Sequence, residues 1–353
     1  MKSGIARLAD LDSPDGTPAF DTIIDVRSPA EFADDHVPGA INCPVLDDEE
    51  RARVGTLYKQ VSPFEAKKIG AALVARNIAR HIESLFLERP RAWKPLIYCW
   101  RGGKRSGAMV TIFRQIGWNA SQLEGGYKTY RQRVVADLAT LPNEFEFRVI
   151  CGATGSAKSR ILQAIGAEGG QIVDLEALAC HKGSVLGVLP GQPQPSQKMF
   201  ETQLLQTLKS LDRKRPVFVE AESRKIGRLH VPEAMIARMR AGSCLAIEAS
   251  AEARVAFLLR DYDYFLTDPG WLKLRLEALR ELRGGTTVAR WHGYADSGDW
   301  QALVGELLAE HYDPLYHASQ NRNYRDFGTP AAFRCDDLSE AGIAAAARAI
   351  LAA

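Results

Sequence analysis

The sequence predicts two α/β domains, each built on a parallel β-sheet. The chain has 353 residues, more than a single domain of about 100–200 residues accounts for. Short apolar segments alternate with helical patterns along the chain, as in parallel α/β proteins. The alternation is interrupted near residues 140–147, where Pro142 and Asn143 close a helical pattern. We therefore place a first domain at residues 1–138, a linker at 139–146 and a second domain at 147–353.

Composition excludes several other classes of protein. Hydrophobic residues make up 46% and charged residues 25%, which is typical of a globular chain rather than a disordered, collagen-like or coiled-coil one. No apolar run approaches the roughly 18 residues of a membrane span, and the charged N-terminus lacks the apolar run of a secretory signal. Six cysteines without a CxxC pair predict neither a disulfide scaffold nor a zinc site. We therefore expect a cytoplasmic protein with no tightly bound cofactor or metal.

The first domain opens with an apolar strand at Thr22–Arg27, after which Ser28 and Pro29 are suited to begin a helix. A second apolar strand, Pro95–Cys99, precedes a turn that contains Gly102 and Gly103. The remaining elements are predicted in this order: an extended run at His36–Asn42, a helix at about Phe64–Phe86, a strand at Pro95–Cys99, a helix at Ser106–Ile116 and a basic helix at Tyr127–Leu141.

The second domain begins with a strand that runs into a second glycine-rich loop, Gly152–Ser159. A stretch rich in Gly and Pro, residues 187–196, reads as a loop. The other elements are predicted as strands at Glu146–Cys151, Gln171–Val173, Pro216–Val219 and Cys244–Ile247, and as helices after Ser159, at Trp300–Glu310 and at Leu338–Leu351.

Cys99 directly follows an apolar strand and precedes a polar glycine loop that opens a helix. Backbone N–H groups of such a loop converge on its centre, and the helix N-terminus adds positive potential. We therefore expect the Cys99 thiol to ionise readily and to act as a nucleophile or a persulfide carrier. The other cysteines, with Cys43, Cys180, Cys244 and Cys335 as the clear cases, are interpreted as inert apolar residues. The loop that we expect to bind an anion consists of Trp100, Arg101, Gly102, Gly103, Lys104 and Arg105.

These segments resemble a rhodanese domain. The resemblance is carried by Asp25–Arg27, Glu31-Phe32, His36–Asn42 and Cys99, and covers about residues 5–135. Cys99 matches the family's persulfide-carrying cysteine. The C-x5-R spacing from Cys99 to Arg105 is one residue longer than in typical single-domain sulfurtransferases, and a wider loop can hold a phosphate-sized group. Cysteine phosphatases share this spacing but usually have His at the position of Tyr98.

The second glycine-rich loop lies between a strand and a helix, which is the context of a Walker A phosphate-binding loop. Backbone N–H groups would cradle phosphates, Lys158 would neutralise their charge, and Ser159 would reach a magnesium ion. Ala157 stands where that pattern has glycine, so we expect a slightly reshaped loop. The residues that we expect to bind phosphate or diphosphate are Gly152, Thr154, Gly155, Ser156, Ala157, Lys158 and Ser159.

Acidic residues follow the strand at Pro216–Val219, where a Walker B carboxylate would lie. Each acid could hold a metal through water or could cap the strand end, and the spacing leaves both interpretations open. The candidate acid or anion contacts are Glu220, Glu222, Ser223 and Arg224.

Two basic stretches stand out on a chain whose net charge is only +2. Residues 93–133 contain eight basic residues against one acidic residue, and residues 198–240 contain ten against five. Such clusters are typical of a surface that binds polyanions, although solvated helix faces give the same pattern. The candidate RNA-binding residues are Arg114, Lys128, Arg131, Arg133, Arg213, Lys214 and Arg215.

A rhodanese domain followed by a phosphate-loop domain resembles the tRNA 2-selenouridine synthase family. Further matching segments are Asp174–Ala179, His181–Ser184, Gln194–Glu201 and Glu220–Gly227. The resemblance implies replacement of sulfur by selenium at the wobble 2-thiouridine of tRNA, with selenophosphate as donor. It also implies an S-geranyl intermediate made from geranyl diphosphate. The implied partners are the tRNA anticodon arm, small phosphate-containing donors and an enzyme that produces selenophosphate, without a membrane.

Two other functions stay open from the residues alone. One is a C-x5-R cysteine phosphatase or a sulfurtransferase fused to a P-loop NTPase, which would act without RNA. The other is a non-catalytic tRNA-binding module, which leaves Cys99 and Lys158 without a role. Products of a reaction with thiolated tRNA and selenophosphate would distinguish all three.

Overall fold

The fold was analysed in a computed structural model, which describes residues 4–11, 19–316, 318 and 331–353. The chain divides into two compact units, Met1–Ala136 and Asp137–Ala353. Each unit contains a five-stranded sheet in which all strand pairs are parallel. The predicted α/β class with parallel sheets is confirmed.

The first unit has the strand order β1-β5-β4-β2-β3, so β4 lies at the centre of the sheet. Both faces of the β4 strand are buried, as expected for a central parallel strand. The strands are β1 (Ile5–Ala6), β2 (Thr22–Asp25), β3 (Ala40–Asn42), β4 (Pro95–Tyr98) and β5 (Ser121–Leu123).

Helices of the first unit begin where the sequence supplies N-terminal caps. Ser28 and Glu31 form a capping box at the first helix, and Asp47 and Glu50 form another at the second. The helices are α1 (Pro29–Asp34), α2 (Asp48–Gln60), α3 (Pro63–His81), which continues as a π-helical turn over Ile82–Phe86, α4 (Lys104–Ile116) and α5 (Gly126–Thr140).

A buried ion pair lies inside the first unit beside β2. The Arg27 guanidinium contacts the Asp25 carboxylate at 2.6 Å, with both side chains almost fully buried. Arg27 also donates to the backbone oxygen of Asp35 at 2.6 Å and stacks on the Tyr127 ring at 3.9 Å from its centroid. Such a pair is tolerated in a core only when its hydrogen bonds are satisfied. It therefore connects β2 to the loop after α1 and to the start of α5.

The second unit has the strand order β12-β11-β6-β8-β7, so β6 is central. A small antiparallel pair, β9 with β10, lies outside this sheet. The strands are β6 (Phe147–Cys151), β7 (Gln171–Val173), β8 (Val217–Glu220), β9 (Lys225–Ile226), β10 (Leu229–His230), β11 (Ser243–Glu248) and β12 (Ala331–Arg334).

Helices pack on this sheet and also form a separate helical cluster after β11. That cluster buries its own apolar core around Trp291 and Leu276. The helices are α6 (Lys158–Ala167), α7 (Leu175–Ala179), α8 (Gln197–Ser210), α9 (Glu233–Arg240), α10 (Ala251–Asp261), α11 (Asp263–Thr267), α12 (Pro269–Glu277), α13 (Arg280–Arg283), α14 (Gly285–Ser297), α15 (Trp300–Glu306), a π-helical turn over Leu307–Tyr312, and α16 (Glu340–Ala352).

The structure departs from the sequence interpretation at two cysteines. Cys151 on β6 and Cys244 on β11 form a disulfide, with their Cα atoms 6.4 Å apart. The interpretation of Cys244 as an inert apolar residue is therefore wrong. The two residues are 93 positions apart, and only the parallel register of β6 and β11 brings them onto neighbouring strands. Within the described residues, no helix is both long and apolar enough to cross a membrane.

Candidate active sites

The first candidate site is the loop that connects β4 to α4 in the first unit. Cys99 directly follows the strand and is 3% exposed. Its Sγ atom accepts hydrogen bonds from the backbone N–H of Gly103 at 3.3 Å and from the Ser106 hydroxyl at 3.2 Å. The loop therefore directs two hydrogen-bond donors at the sulfur atom, an arrangement that suits a nucleophilic cysteine.

Close backbone packing closes this loop against α5. The N–H of Tyr127 donates to the Cys99 carbonyl at 2.9 Å. Gly126 has a φ of +60°, and a Cβ atom there would lie 2.2 Å from that same carbonyl oxygen. Only glycine fits this approach. The start of α5 thus fixes where Cys99 stands.

Charged side chains of the loop divide into two groups. Arg105 donates to Glu31 at 2.8 Å, and Arg51 contacts the same carboxylate at 2.8 Å. One carboxylate does not balance two arginines, so a positive charge remains on this group, and the role of Arg105 as an anion contact stays a prediction. Arg101 and Lys104 are exposed at the mouth of the loop. These two cations are accessible to an incoming anion.

Aromatic rings lie beside the same loop. Trp100, which is 36% exposed, packs against Tyr127 with ring centroids 5.4 Å apart. The Arg27 guanidinium stacks on the Tyr127 ring, and the Tyr127 hydroxyl donates a hydrogen bond to Asp35 at 2.7 Å. Trp100 is therefore held against a buried neighbour while part of its ring remains exposed.

The second candidate site is the loop between β6 and α6 in the second unit. Gly155 has a φ of +84°, and Ala157 adopts the left-handed conformation with φ 59° and ψ 26°. The structure thus gives Ala157 the backbone shape that usually selects glycine. The alanine therefore carries the steric cost of a left-handed conformation.

Polar groups of this loop are arranged around an open centre. The Lys158 ammonium donates to the carbonyl oxygen of Ala153 at 3.3 Å, across the loop. The buried hydroxyl oxygen of Ser156 has no hydrogen-bond partner. A buried polar group without a partner is costly, and a bound anion would supply one. The loop is therefore suited to hold phosphate groups.

Three glutamates meet beside the loop. Carboxylate oxygens of Glu176, Glu220 and Glu222 lie within 4.8 Å of one another. The Ser159 hydroxyl contacts Glu176 at 2.9 Å and Glu220 at 2.8 Å. Glu176 lies on α7 and Glu220 ends β8, so the sheet and the next helix both contribute. The prediction that Glu220 and Glu222 lie near the phosphate loop is consistent with this geometry.

Burial and mutual repulsion hold protons on these glutamates. Burial, followed by the charge of Glu176, raises the pKa of Glu220 well above its usual range. Burial likewise raises the pKa of Glu176 to about 7 and that of Glu222 to about 8. Like charges that cannot all ionise either share protons or bind a cation.

The glutamates and Ser159 fit a divalent cation such as Mg²⁺. Hard cations prefer carboxylate and hydroxyl oxygens, and one oxygen of Glu220 is buried without a hydrogen-bond partner. Glu176, Glu220, Glu222 and Ser159 would hold the ion, which would neutralise charge on a bound diphosphate. The sequence predicts no metal site, whereas these residues form a set that suits a metal ion.

A cleft of about 720 Å³ opens over the loop and the glutamates. Arg254, 7% exposed, braces the loop by donating to the carbonyl of Thr154 at 2.8 Å and pairing with Asp313 at 2.6 Å. Lys182 lies in the cleft wall, paired with Asp261 at 2.6 Å and 4.1 Å from the centroid of the Tyr262 ring. The cleft is large enough for a small-molecule ligand.

Two predicted contacts do not join this site through their side chains. Arg224 pairs with Glu233 at 3.0 Å and is absent from the residues that line the cleft. The Ser223 hydroxyl is bonded to the backbone of Lys225 at 2.5 Å, although Ser223 lines the cleft edge. The Ser223 side chain is thus bonded to β9, and the Arg224 side chain is paired with the first residue of α9.

The predicted RNA-binding residues occupy different surroundings. Arg114 donates to the carbonyl of Ala120 at 2.7 Å, Arg213 pairs with Glu144 at 2.5 Å, and Arg215 donates to Gly169 at 2.7 Å. These three arginines have protein partners while remaining exposed. Lys128 and Lys214 are also exposed, and Arg131 and Arg133 are half-buried on α5.

Sequence reasoning missed several residues of the second site. Glu176, Arg254 and Asp261 came from segments that carry no recognised phosphate-loop motif. Glu176 lies in Asp174–Ala179, a segment that matches the family but carries no recognised motif. The available signal for Glu176 was its place soon after a short apolar strand, β7. The carboxyl ends of β7 and β8 lie at the same edge of the sheet, which brings Glu176 near Glu220.

The raised pKa values make folding stability depend on pH. Between pH 6.5 and 9 the folded chain holds protons on Glu176 and Glu222 that the unfolded chain has lost, so stability must fall as pH rises. We expect a loss of roughly 2–3 kcal/mol across this range from these two groups. Chemical denaturation at pH 6.5 and pH 9 measures it.

Glu222→Gln removes one of the two groups and should reduce this loss by more than half. Saturating Mg²⁺ should also reduce it in the parent protein, because a bound cation favours the ionised carboxylates. An identical pH dependence in the parent and in Glu222→Gln would contradict the cluster's role.

Known proteins resemble this chain in both units. The family model "tRNA 2-selenouridine synthase AAA domain" matches residues 145–269, and the model "Rhodanese-like domain" matches residues 8–133. A rhodanese-related protein of Thermoplasma volcanium is 21% identical, with a TM-score of 0.23, and covers 36% of this chain and 90% of that one. That structural likeness is too low to carry an argument.

Curated relatives match most of the chain. A tRNA 2-selenouridine synthase of Nitrosomonas europaea is 37% identical over 70% of this chain, and the match spans 64% of the relative's length. One of Marinobacter nauticus is 33% identical over 83% of this chain and 87% of the relative. The chain therefore belongs to the tRNA 2-selenouridine synthase family.

Proposed function

We propose that this chain is an enzyme that replaces sulfur by selenium in the wobble 2-thiouridine of tRNA. The selenium donor is selenophosphate, and the reaction passes through an S-geranyl-2-thiouridine made from geranyl diphosphate. The observation that carries the proposal is that a chain of this family holds both a cysteine cradle and a phosphate-binding loop. These are the two kinds of site that the two steps require.

Geranyl transfer needs a bound diphosphate and no enzyme nucleophile. The sulfur of 2-thiouridine attacks C1 of geranyl diphosphate, the C1–O bond breaks, and diphosphate leaves with the electron pair. The base loses its N3 proton to solvent. Lys158 and the loop N–H groups balance the charge that develops on the leaving diphosphate. The second unit supplies these groups.

Selenium insertion uses the alkylated sulfur as a leaving group. Selenium of selenophosphate attacks C2 of the base, geranylthiol leaves after taking a proton, and water cleaves the Se–P bond to release phosphate. Atoms and electrons balance because selenium remains at the selenide level throughout. A selenium bonded to the Cys99 sulfur would instead need a two-electron acceptor. We therefore assign the Cys99 loop, with Arg101 and Lys104, to binding selenophosphate.

The remaining partners follow from this chemistry. tRNA phosphates would meet the exposed basic residues, and the open face of Trp100 would stack on an unpaired base. Selenophosphate must come from an enzyme that produces it. The C-x5-R phosphatase alternative is less well supported, because Tyr98 stands where such phosphatases usually have His.

Replacing Lys158 tests the phosphate loop. Lys158→Ala should lower geranyl transfer to thiolated tRNA at least about 100-fold, since it removes a charge-assisted contact to the diphosphate. Mass spectrometry of nucleosides from the reacted tRNA measures S-geranyl-2-thiouridine. Lys273→Ala, on α12, removes a lysine that lies outside the cleft lining and is the matched control.

The same Lys158→Ala protein should still convert a pre-geranylated tRNA into selenouridine tRNA. Geranyl transfer at the parental rate would contradict the assignment of the loop. Competent ATP hydrolysis by the parent, without any action on tRNA, would favour the NTPase alternative instead.

Replacing Cys99 tests the division of labour between the two loops. Cys99→Ala should retain geranyl transfer and lose selenium insertion, so that S-geranyl-2-thiouridine tRNA accumulates. Cys99→Ser distinguishes two roles of the thiol: it restores part of the activity if Cys99 only helps to position the donor, and none if the sulfur itself is required. Nucleoside mass spectrometry again measures both products.

Full selenium insertion by Cys99→Ala would contradict any role for this cysteine. Loss of both steps in a folded Cys99→Ala protein would contradict the assignment of the two steps to different units. Circular dichroism of each variant confirms that it is folded.

Salt dependence tests the basic residues. If they contact tRNA phosphates, binding should weaken steeply with salt, and Lys128→Gln with Lys214→Gln should reduce the log–log slope by somewhat under one unit per lysine. Fluorescence anisotropy with labelled tRNA measures the slope. Lys67→Gln, an exposed lysine outside both basic stretches, should leave it unchanged. Equal slopes in all proteins would show that these lysines are solvated surface.

A further inference from the structure

A buried histidine, His311, lines the cleft over the phosphate loop. Its side chain is 2% exposed, and neither of the two proposed reaction steps uses its ring. His311 belongs to the π-helical turn over Leu307–Tyr312. Such turns are rare and occur frequently at functional sites. The contacts of the His311 ring show what kind of group it can bind in the cleft.

An arginine fixes the tautomer of this ring. The Arg283 Nε–H donates to His311 Nδ1 at 3.0 Å, and a terminal guanidinium nitrogen of Arg283 donates to the His311 carbonyl oxygen at 3.2 Å. Because an arginine side chain can only donate, Nδ1 is an unprotonated acceptor and the ring proton lies on Nε2. Burial, followed by the charge of Arg283, lowers the pKa of His311 to about 4. The ring is therefore neutral at physiological pH, with an N–H donor at Nε2.

His311 is also held in place relative to the phosphate loop. Asp313, two residues further along, pairs with Arg254 at 2.6 Å, and Arg254 donates to the Thr154 carbonyl in the loop at 2.8 Å. Among the described residues, none forms a hydrogen bond with His311 Nε2. The nitrogen that carries the ring proton is therefore left for a ligand of the cleft.

The cleft has room for more than a diphosphate. Its volume of about 720 Å³ lies within the range of sites for whole small molecules, roughly 300–1,000 Å³. Tyr262, Tyr312 and Tyr316 also line it, and such rings offer flat surfaces against which a base can pack. The proposed geranyl transfer brings a pyrimidine base here, because its sulfur must reach C1 of the diphosphate ester at the loop.

A fixed N–H donor distinguishes pyrimidines by the group at C4. A uracil-type base carries a carbonyl oxygen there, which accepts a hydrogen bond, whereas a cytosine-type base carries an amino group, which donates. Two donors that face each other both remain unpaired, which is costly in a buried site. Since Arg283 keeps the proton on Nε2, the His311 ring cannot change its tautomer to accept from an amino group.

We infer that His311 donates from Nε2 to the C4 carbonyl oxygen of the thiouridine base and thereby selects 2-thiouridine over 2-thiocytidine. Arg283 is the positioning residue that keeps this donor fixed. The inference rests on the proposed function, since it assigns the part of the same cleft that recognises the base to be alkylated. Both residues precede any bond making, so their effect is on binding of the base.

Equilibrium binding of anticodon stem-loops to the full chain tests this selection without the chemistry. With Mg²⁺ and inorganic diphosphate present, competition against a fluorescent stem-loop should show wobble 2-thiouridine binding at least about fivefold more tightly than wobble 2-thiocytidine. In His311→Gln the ratio should fall below about twofold, because an amide can turn either its oxygen or its nitrogen to the base. His292→Gln, on α14 and outside the cleft lining, is the matched control and should keep the parental ratio.

Variants of Arg283 test the fixed tautomer. Arg283→Met removes the donor to Nδ1, so the ring can carry its proton on either nitrogen and the ratio should fall as it does in His311→Gln. Arg283→Lys keeps a cationic donor and should retain most of the parental ratio. A purely structural role of Arg283 would weaken both stem-loops equally and leave the ratio unchanged, which would contradict its positioning role.

The outcomes separate this inference from the proposed function. If the parent binds both stem-loops equally well, or if His311→Gln keeps the parental ratio, the inference is wrong and the proposed function stands. If His311→Gln binds neither stem-loop, the comparison of Arg283→Met with Arg283→Lys decides the inference. If the parent binds neither, both are wrong. If the ratios behave as expected but geranyl diphosphate transfers no geranyl group to the thiouridine stem-loop, the inference holds and the proposed reaction fails.

Discussion

Both candidate sites depend on the same backbone constraint: a central parallel strand ends, the chain turns through glycine, and a helix begins. β4 and β6 each hold the middle position of their five-stranded sheet. The first residues beyond each strand, Cys99 and Gly152, therefore lie where unpaired N–H groups of the turn and the helix converge. Such a place attracts negative charge whatever the side chains are. The side chains then decide which anion is bound, and under the proposed function these anions are selenophosphate in the first unit and a diphosphate in the second.

Acidic residues around the second loop complicate this simple attraction. Three glutamates beside a diphosphate would repel it if all were ionised, and their burial already favours protonation. A cation or retained protons must therefore accompany the ligand. Lys158 cannot balance the cluster alone. The protonation of the three glutamates is thus coupled to the binding of the diphosphate and its cation.

The sequence carried enough information for the central strands of both sheets and for both loops, because each depends on local patterns. An apolar strand followed by glycine and a helix is visible at Cys99 and at Lys158 without any tertiary knowledge. Glu176, Arg254 and the Cys151–Cys244 disulfide were not predictable in this way, since each reaches its partner through the register of separate elements.

The strands β1, β5, β9, β10 and β12 and the helices α2 and α7–α14 were also missed. Helices of the cluster after β11 bury one another, and α12 has no periodic apolar stripe that marks a helix face.

Ala157 shows where the second unit stores conformational strain. Its backbone is left-handed, with φ 59° and ψ 26°, a conformation that glycine adopts freely and alanine adopts only at a cost. The packing around the loop must therefore hold Ala157 in a shape that the residue itself disfavours. Because Ala157 directly precedes Lys158, the strain lies at the point where the loop turns into the lysine-bearing helix.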